Sequence, residues 1–267
     1  MIDSVLQQSL RDRYNPEGSE LRKNQESLLK ILKKVVFVCE KNDIPYWLSS
    51  GTLLGAIRHG GFIPWDDDID IEILYKDRHR FIEACNKDLP SDLVVQTHKS
   101  DSHHYSSIIK IKDLNSTIHE YYMGGNLEYP LDVKYKGFYI DVFTEESSFL
   151  PFIKFSNKLI GIINRSHFMG KRPDWYCNLL SSFSKPLFVV FRVISSLFGD
   201  ESIVYHSYGS GYNSCRLIND IFPLGMADFE GSKFRVPGNY DHYLKTIFGN
   251  YQTIPDSKTI ETVRHIK

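Results

Sequence analysis

The sequence predicts an α+β fold, a mixed sheet flanked by helices, and three observations carry that prediction. Over residues 20–42, Leu21, Leu28, Leu32, Val35, Val36 and Cys39 recur at helical spacing with Lys and Glu between them. Over residues 68–75 the polarity alternates residue by residue, as on a strand with one buried face. Between and beyond these two, short helix-like and strand-like segments succeed one another, punctuated by Gly, Pro and Asn-Asp.

Taken in order, Asn42-Asp43 stops the helix at 20–42. Residues 44–50 follow as a short strand behind Pro45, and Gly51-Thr52 turns that strand into a helix over 53–58. Pro64-Trp65 breaks the chain again before the strand at 68–75. On that strand Asp68, Asp70 and Glu72 share one face and Ile69, Ile71 and Ile73 the other, so one face is built for a core and the other for charge. A helix over 77–86, a strand at 93–96 and a strand at 106–112 with alternating Ile and Lys come next. Residues 135–143 form a further strand in which Asp141 sits among apolar neighbours; Ile140 and Val142 face the core, and Asp141 faces out with Tyr139 and Phe143.

From 149 to 198 the composition shifts toward Phe, Leu, Ile and Val, punctuated by Lys154, Lys158, Arg165, Lys171, Arg172, Lys185 and Arg192. The longest apolar run, 179–198, has Lys185-Pro186 and Arg192 in its middle and makes a poor membrane span. It reads either as basic amphipathic helices lying on a membrane surface or as helices packed on the rest of the protein. After Ser207 the chain is Gly- and Tyr-rich and ends on a short basic stretch.

A chain of 267 residues can bury about 70–75% of its unfolded surface, enough for a sizeable core. With 42% hydrophobic and 24% charged residues and a net charge of −1, the chain is neither disordered nor broadly basic, so no nucleic acid is expected as a partner. Cys39, Cys85, Cys177 and Cys215 stand far apart, without metal-site spacing, and are expected as reduced residues. The first 14 residues mix charge into their apolar positions and lack the apolar core of a secretory signal, so a cytoplasmic location is expected.

The chemistry concentrates in residues 51–72. Five of the seven side chains from Asp66 to Glu72 are acids. Two unit charges about 4 Å apart at an effective dielectric near 20 repel by roughly 4 kcal/mol, so such a cluster is kept only if it is solvated or holds a cation. The turn at Gly51-Thr52 opens a helix whose N–H groups can cradle a phosphate. Asp68 and Asp70 can hold magnesium or manganese, and Asp141 is the third carboxylate that completes the site. Three rivals exist: an EF-hand loop, which Ile71 and Asp77 at its sixth and twelfth positions contradict; a sugar-nucleotide glycosyltransferase using Asp68 and Asp70; and a merely solvated acidic turn.

Residues 51–59, Gly-Thr-Leu-Leu-Gly-Ala-Ile-Arg-His, followed by 63–70, Ile-Pro-Trp-Asp-Asp-Asp-Ile-Asp, closely resemble the LicD family of phosphotransferases, whose relatives include fukutin and fukutin-related protein. Phe229-Glu230-Gly231, residues 234–241 and Phe248-Gly249-Asn250-Tyr251 resemble the family's closing segment. The resemblance implies a nucleotidyltransferase-like fold and transfer of a phosphoalcohol, typically phosphocholine from CDP-choline, onto a hydroxyl of a cell-surface glycan or its lipid-linked precursor. It implies Asp68, Asp70 and Asp141 as catalytic metal carboxylates with Asp66 as a further ligand. The loop after Asp141, Thr144-Glu145, departs from the family's usual Pro and Leu. Gly51, Thr52, Arg58 and Lys112 are the expected donor-phosphate contacts, whereas Trp65 and Tyr46 are expected mainly as core aromatics; Glu230, Asp241 and His265 enter only through the closing segment. The expected organisation is a catalytic core at 1–148, a helical insert at 149–206 that either lies on a membrane surface or packs on the core, and a closing segment at 207–267. Transfer of ribitol phosphate or glycerol phosphate from the corresponding CDP-alcohol, and a non-catalytic glycan- or lipid-binding module, remain as alternatives.

Overall fold

The structure is a computed structural model and describes residues 2–119, 121–122, 127–128, 133–168, 173–256 and 260. Two capped helices open it. Asp3 Oδ1 accepts from the N–H groups of Val5 and Leu6 at the start of α1 (Ser4–Tyr14), and Ser19 Oγ accepts from Arg22 N at the start of α2 (Glu20–Lys41). The apolar stripe of α2 is buried: Leu28, Leu32, Val35 and Cys39 are fully inaccessible.

The chain then builds the sheet. β1 (Tyr46–Leu48) leads through α3 (Ser50–His59) to β2 (Asp70–Leu74), and a short 3₁₀ turn leads to α4 (Arg78–Asp88), β3 (Leu93–Gln96) and β4 (Ile109–Asp113). A two-stranded ribbon, β5 (Tyr121–Tyr122) with β6 (Leu127–Glu128), precedes β7 (Tyr139–Ser147). The strand order is β1-β2-β7-β4-β3; β2 runs parallel to β7 and the other neighbours on this path are antiparallel. After the helices α5 (Leu150–Phe168) and α6 (Asp174–Phe198) the chain returns to the sheet as β8 (Ile203–His206), which pairs with the far half of β7 and then with β9 (Cys215–Leu217). A short helix, α7 (Ile218–Ile221), the hairpin of β10 (Gly225–Phe229) and β11 (Ser232–Val236), and α8 (Tyr240–Phe248) complete the order. The mixed sheet with flanking helices is the expected α+β fold.

The two faces of the sheet divide as strand parity requires. Ile69, Ile71, Ile73, Ile109, Ile111, Ile140 and Val142 are buried in one core with α2, Phe81 and Cys85. The opposite face carries Asp70, Asp141, Lys110 and Lys112. Three details differ from the sequence expectation. Asp68 lies before β2, because the strand begins where Asp70 N is bonded by Thr52 Oγ1 (2.9 Å). Gly51 and Thr52 lie inside the first turn of α3, which starts at Ser50. Glu72, on the face expected to carry charge, is fully buried beneath later elements. Of the cysteines, all free, Cys39, Cys85 and Cys177 are buried and Cys215 is half-buried.

Ile71 sits in the centre of this layer, paired with Leu48 on one side and Val142 on the other. Ile71→Ala is expected to lower unfolding free energy by about 2–5 kcal/mol, read from urea unfolding with an unchanged slope.

Candidate active site

Parallel pairing of β2 with β7 sets Asp70 directly opposite Asp141, and Asp141 N donates to Ile69 O (2.9 Å). Asp66, Asp68 and Asp70 line a cleft of about 330 Å³ together with Ser50 and Gly51 of α3; Phe143, His206, Tyr212, Arg216 and Phe248 wall its other sides. The loop carrying the acids is held from below, where Gln25 on α2 donates through Nε2 to Asp66 O (2.8 Å) and accepts from Asn15. At Gly51 the loop and helix nearly touch, and a Cβ there would stand 2.7 Å from Asp66 Oδ2, so only glycine lets the carboxylate sit against the helix start. α3 has no side-chain cap, since Ser49 Oγ donates instead to Glu72. Its first turn therefore opens toward the cleft with its N–H dipoles uncapped, favourable ground for an anion.

Three carboxylates load the cleft with negative charge, and Arg216 on its wall carries the opposite sign. Burial, then the carboxylates of Asp68, Asp141 and Asp66, hold Asp70 well above the usual carboxylate range, and Lys110 offsets part of this. Lys110 Nζ lies 3.0 Å from Asp141 Oδ1 and 3.4 Å above the Tyr139 ring. Burial, then Asp70, Asp141 and Asp68, push the Tyr212 phenol up. The oxygen-only set of Asp66, Asp68, Asp70 and Asp141 is the donor chemistry that magnesium and manganese prefer, and a cation would relieve the mutual repulsion of these carboxylates.

The other expected contacts are placed differently. Thr52 is buried and spends its hydroxyl oxygen on Asp70 N, so it positions the strand rather than lining the cleft. Arg58 is buried and does not reach the cleft wall. It donates through Nη1 to Tyr251 O (2.7 Å) and through Nε to His59 Nε2 (2.8 Å), clamping the segment after α8. Burial and the Arg58 charge push the His59 imidazole down to about 3, keeping it neutral. Lys112 is buried, its ammonium 4.4 Å from the Tyr139 centroid, and is not part of the cleft wall. Tyr46 is a core residue, and Trp65 packs edge-on against Tyr14 and His59. Glu230 braces the turn before the acids by accepting from Phe62 N (3.1 Å) and pairing with Arg22 (2.8 Å); Asp241 bonds Lys245 and Tyr251. His265 lies outside the described residues.

Sequence reading missed the layer beneath the cleft. Glu72 accepts from Trp47 Nε1 and Tyr243 OH (both 2.6 Å) and from Ser49 Oγ, and faces Arg216 (3.5 Å). His206 contacts Glu145, and both belong to the same buried group. The parity of Glu72 with Asp70, and of Glu145 with Asp141, is the one sequence signal that pointed here; Arg216 and His206 had none. Against its burial, Arg216, His206 and the two hydroxyls hold the Glu72 carboxyl below its usual range, whereas burial pushes Glu145 up. Glu72→Gln removes the charge opposite a buried guanidinium and is expected to cost about 3–5 kcal/mol in urea unfolding, with partial recovery in Glu72→Gln/Arg216→Met.

Residues 43–125 match the family described as "LicD/FKTN/FKRP, nucleotidyltransferase domain". The chain is 26% identical over 254 residues to the lipopolysaccharide cholinephosphotransferase LicD of Haemophilus influenzae, covering 88% of this chain and 92% of that protein. Shorter similarities reach two human proteins. Ribitol 5-phosphate transferase FKRP is 47% identical over 51 residues, 19% of this chain and 10% of that protein. Ribitol-5-phosphate transferase FKTN is 38% identical over 61 residues, 23% of this chain and 13% of that protein. The segment from Asp66 to Asp70 lies inside the residues that match the LicD family domain, and the similarity to the Haemophilus influenzae protein runs through most of the chain.

Proposed function

We propose that the protein transfers a phosphoalcohol, foremost phosphocholine from CDP-choline, onto a hydroxyl of a cell-surface glycan or its lipid-linked precursor and releases CMP. The observation that carries the reading is the register of Asp70 with Asp141 beside Asp66 and Asp68, at the uncapped start of α3. The similarity to a cholinephosphotransferase over most of the chain supports phosphocholine as the head group. The short similarities to two ribitol-phosphate transferases favour CDP-ribitol as the second donor to test.

Asp68, Asp70 and Asp141, with Asp66, would hold magnesium or manganese, which supplies Lewis-acid neutralisation of the diphosphate charge. Gly51 and the first turn of α3 receive phosphate oxygens through backbone N–H groups. The acceptor hydroxyl oxygen bonds to the phosphorus bearing the alcohol, the bond from that phosphorus to the bridging oxygen breaks, and CMP leaves with the electron pair. A carboxylate of the cluster takes the hydroxyl proton. Lys110 balances Asp141 so that the cluster is not four bare charges.

Asp68→Asn and Asp70→Asn are each expected to lower CMP release from CDP-choline by at least about 10²-fold, the scale of losing one electrostatic stabiliser of a transition state. Full turnover in either folded variant would reject the mechanism; pyrophosphate or a nucleoside diphosphate as by-product would reject the reaction class.

Stability should move the opposite way. An unfolded Asp titrates near 3.9, and Asp70 in the fold is raised. The native state thus holds its proton longer, and the metal-free protein loses stability as pH rises from about 3.9 toward the raised value. At pH 7 that loss is present in the wild type and absent in Asp70→Asn. Thermal unfolding in chelator is therefore expected to show Asp70→Asn more stable than the wild type, and added magnesium to raise the wild-type Tm but not that of the variant.

A further inference from the structure

We propose that the α5–α6 pair is a docking face for an anionic lipid surface and that it brings the cleft to the membrane. α6 is turned inside out for a helix facing water. Its buried side chains are Cys177, Ser181, Ser184 and Ser195, whereas Trp175, Leu179, Phe183, Val190, Val193 and Leu197 are 46–69% exposed. At about 100° per residue those six fall in one stripe about 80° wide, on the side opposite the serines. The helix has 25 residues, so the stripe runs for roughly 35 Å. Little of α6 is buried, and it is the one helix among the described residues long and apolar enough to cross a membrane. Phe155 and Ile162 of α5, about half exposed, enlarge the apolar surface beyond what a water-facing domain normally shows.

Charge identifies the occupant. Residues 150–198 contain seven Lys and Arg and a single acid, Asp174, in a chain of net charge −1. Lys154, Lys158, Arg165 and Lys185 are exposed, the first three alternating with Phe155 and Ile162 along α5. Anionic headgroups complement that pattern, each cation near such a surface adding to the attraction. A second copy seated symmetrically on this face would set the same cations against one another. Spanning the bilayer is disfavoured by the anchoring of α6 toward both ends; near its start Tyr105 OH donates to Asn178 Oδ1 (3.2 Å). Arg192 binds Glu146 of β7 through two bonds of 2.6 and 2.9 Å, and Ser195 Oγ lies 3.4 Å from Tyr208 OH.

The face is tied to the cleft. Asn157 of α5 donates through Nδ2 to Tyr212 O (2.6 Å) and Asn213 Oδ1 (2.9 Å), and its Oδ1 accepts from Gly211 N (3.0 Å). Tyr212 and Ser214 of that loop line the cleft. A docked α5–α6 pair thus holds one wall of the cleft beside the lipid, the place where a lipid-linked glycan presents its hydroxyl. Docking itself stands on the surface alone; a lipid-linked acceptor rests on the phosphotransfer reading.

The test is co-sedimentation of the full chain with phosphatidylcholine vesicles made with and without phosphatidylglycerol. Binding is expected on the anionic vesicles at low ionic strength, with a blue shift of Trp175 emission. It is expected to fall at least about tenfold in high salt, in Lys154→Glu/Lys158→Glu and in Phe183→Glu/Val190→Glu. All four positions are exposed, and unchanged circular dichroism and Tm would establish that the variants fold. CMP release with a water-soluble acceptor should be unchanged in both. Absence of binding to anionic vesicles at low salt overturns the proposal. So does a dimer, seen by sedimentation equilibrium, that Phe183→Glu/Val190→Glu dissolves while vesicle binding is unaltered. Docking without CMP release by any form would instead overturn the phosphotransfer reading and leave the docking face standing.

Discussion

Everything in the cleft depends on one register, the parallel pairing that places Asp70 across from Asp141. Adjacent strands lie about 4.8 Å apart, so two same-face carboxylates in register are forced into mutual range whatever their side-chain torsions. The fold then adds Asp66 and Asp68 from the preceding loop instead of relieving the pair. Lys110, in register with Asp141 from the other neighbouring strand, is the compensation the sheet itself provides. Such a cluster is destabilising in isolation, and the proposed cation with its phosphates would supply the missing positive charge.

Two residues farther along the same strand face, the opposite solution is found. Glu72 is fully buried where Asp70 is half-buried, yet its carboxyl is held low while Asp70 is held high. The difference lies in the company: Arg216, His206 and three donors surround Glu72, whereas three carboxylates surround Asp70. A satisfied, charge-balanced floor thus lies directly beneath an under-compensated cleft. Ser49 connects the two, because by donating to Glu72 it leaves the first turn of α3 without a cap where an anion would sit. Ser50, next in the chain, holds a left-handed φ of 48°, strain of about 1–2 kcal/mol placed at the mouth of the cleft.

Parity made much of this legible before any coordinates. The alternation around Asp70 and Asp141 put both acids on one face and the isoleucines on the other, and the sheet places them so. Parity is silent on what covers a face. Glu72 shares the parity of Asp70, but β8 and β9, more than 130 residues away in the chain, bring His206 and Arg216 to it and leave it buried. Arg58 shows a second limit. Its position in the first helix suited a phosphate contact, yet its guanidinium is taken by the carbonyls of Tyr251 and Thr253, partners no local pattern announces. Lys112 likewise stands over Tyr139, a packing choice set by strand pairing rather than by spacing along its own strand.

The α5–α6 pair shows why periodicity alone left two readings open there. A helix with Ser and Cys on one side and Trp, Phe, Leu and Val on the other is amphipathic under either reading; only the side that meets the protein tells them apart. Ordinarily the apolar side would turn inward, since burying it is worth about 25 cal/mol per Å². Here Arg192 fixes the rotation of α6 by its paired bonds to Glu146, and the hydroxyls of Ser195 and Tyr208 meet across the same seam. Those polar anchors commit the serine side to the domain and leave the apolar stripe outward. Asn157 then couples the pair to the loop that walls the cleft. The one solvent in which that orientation is favourable throughout is a lipid interface, where apolar side chains sink below the headgroups while the lysines of α5 stay among them.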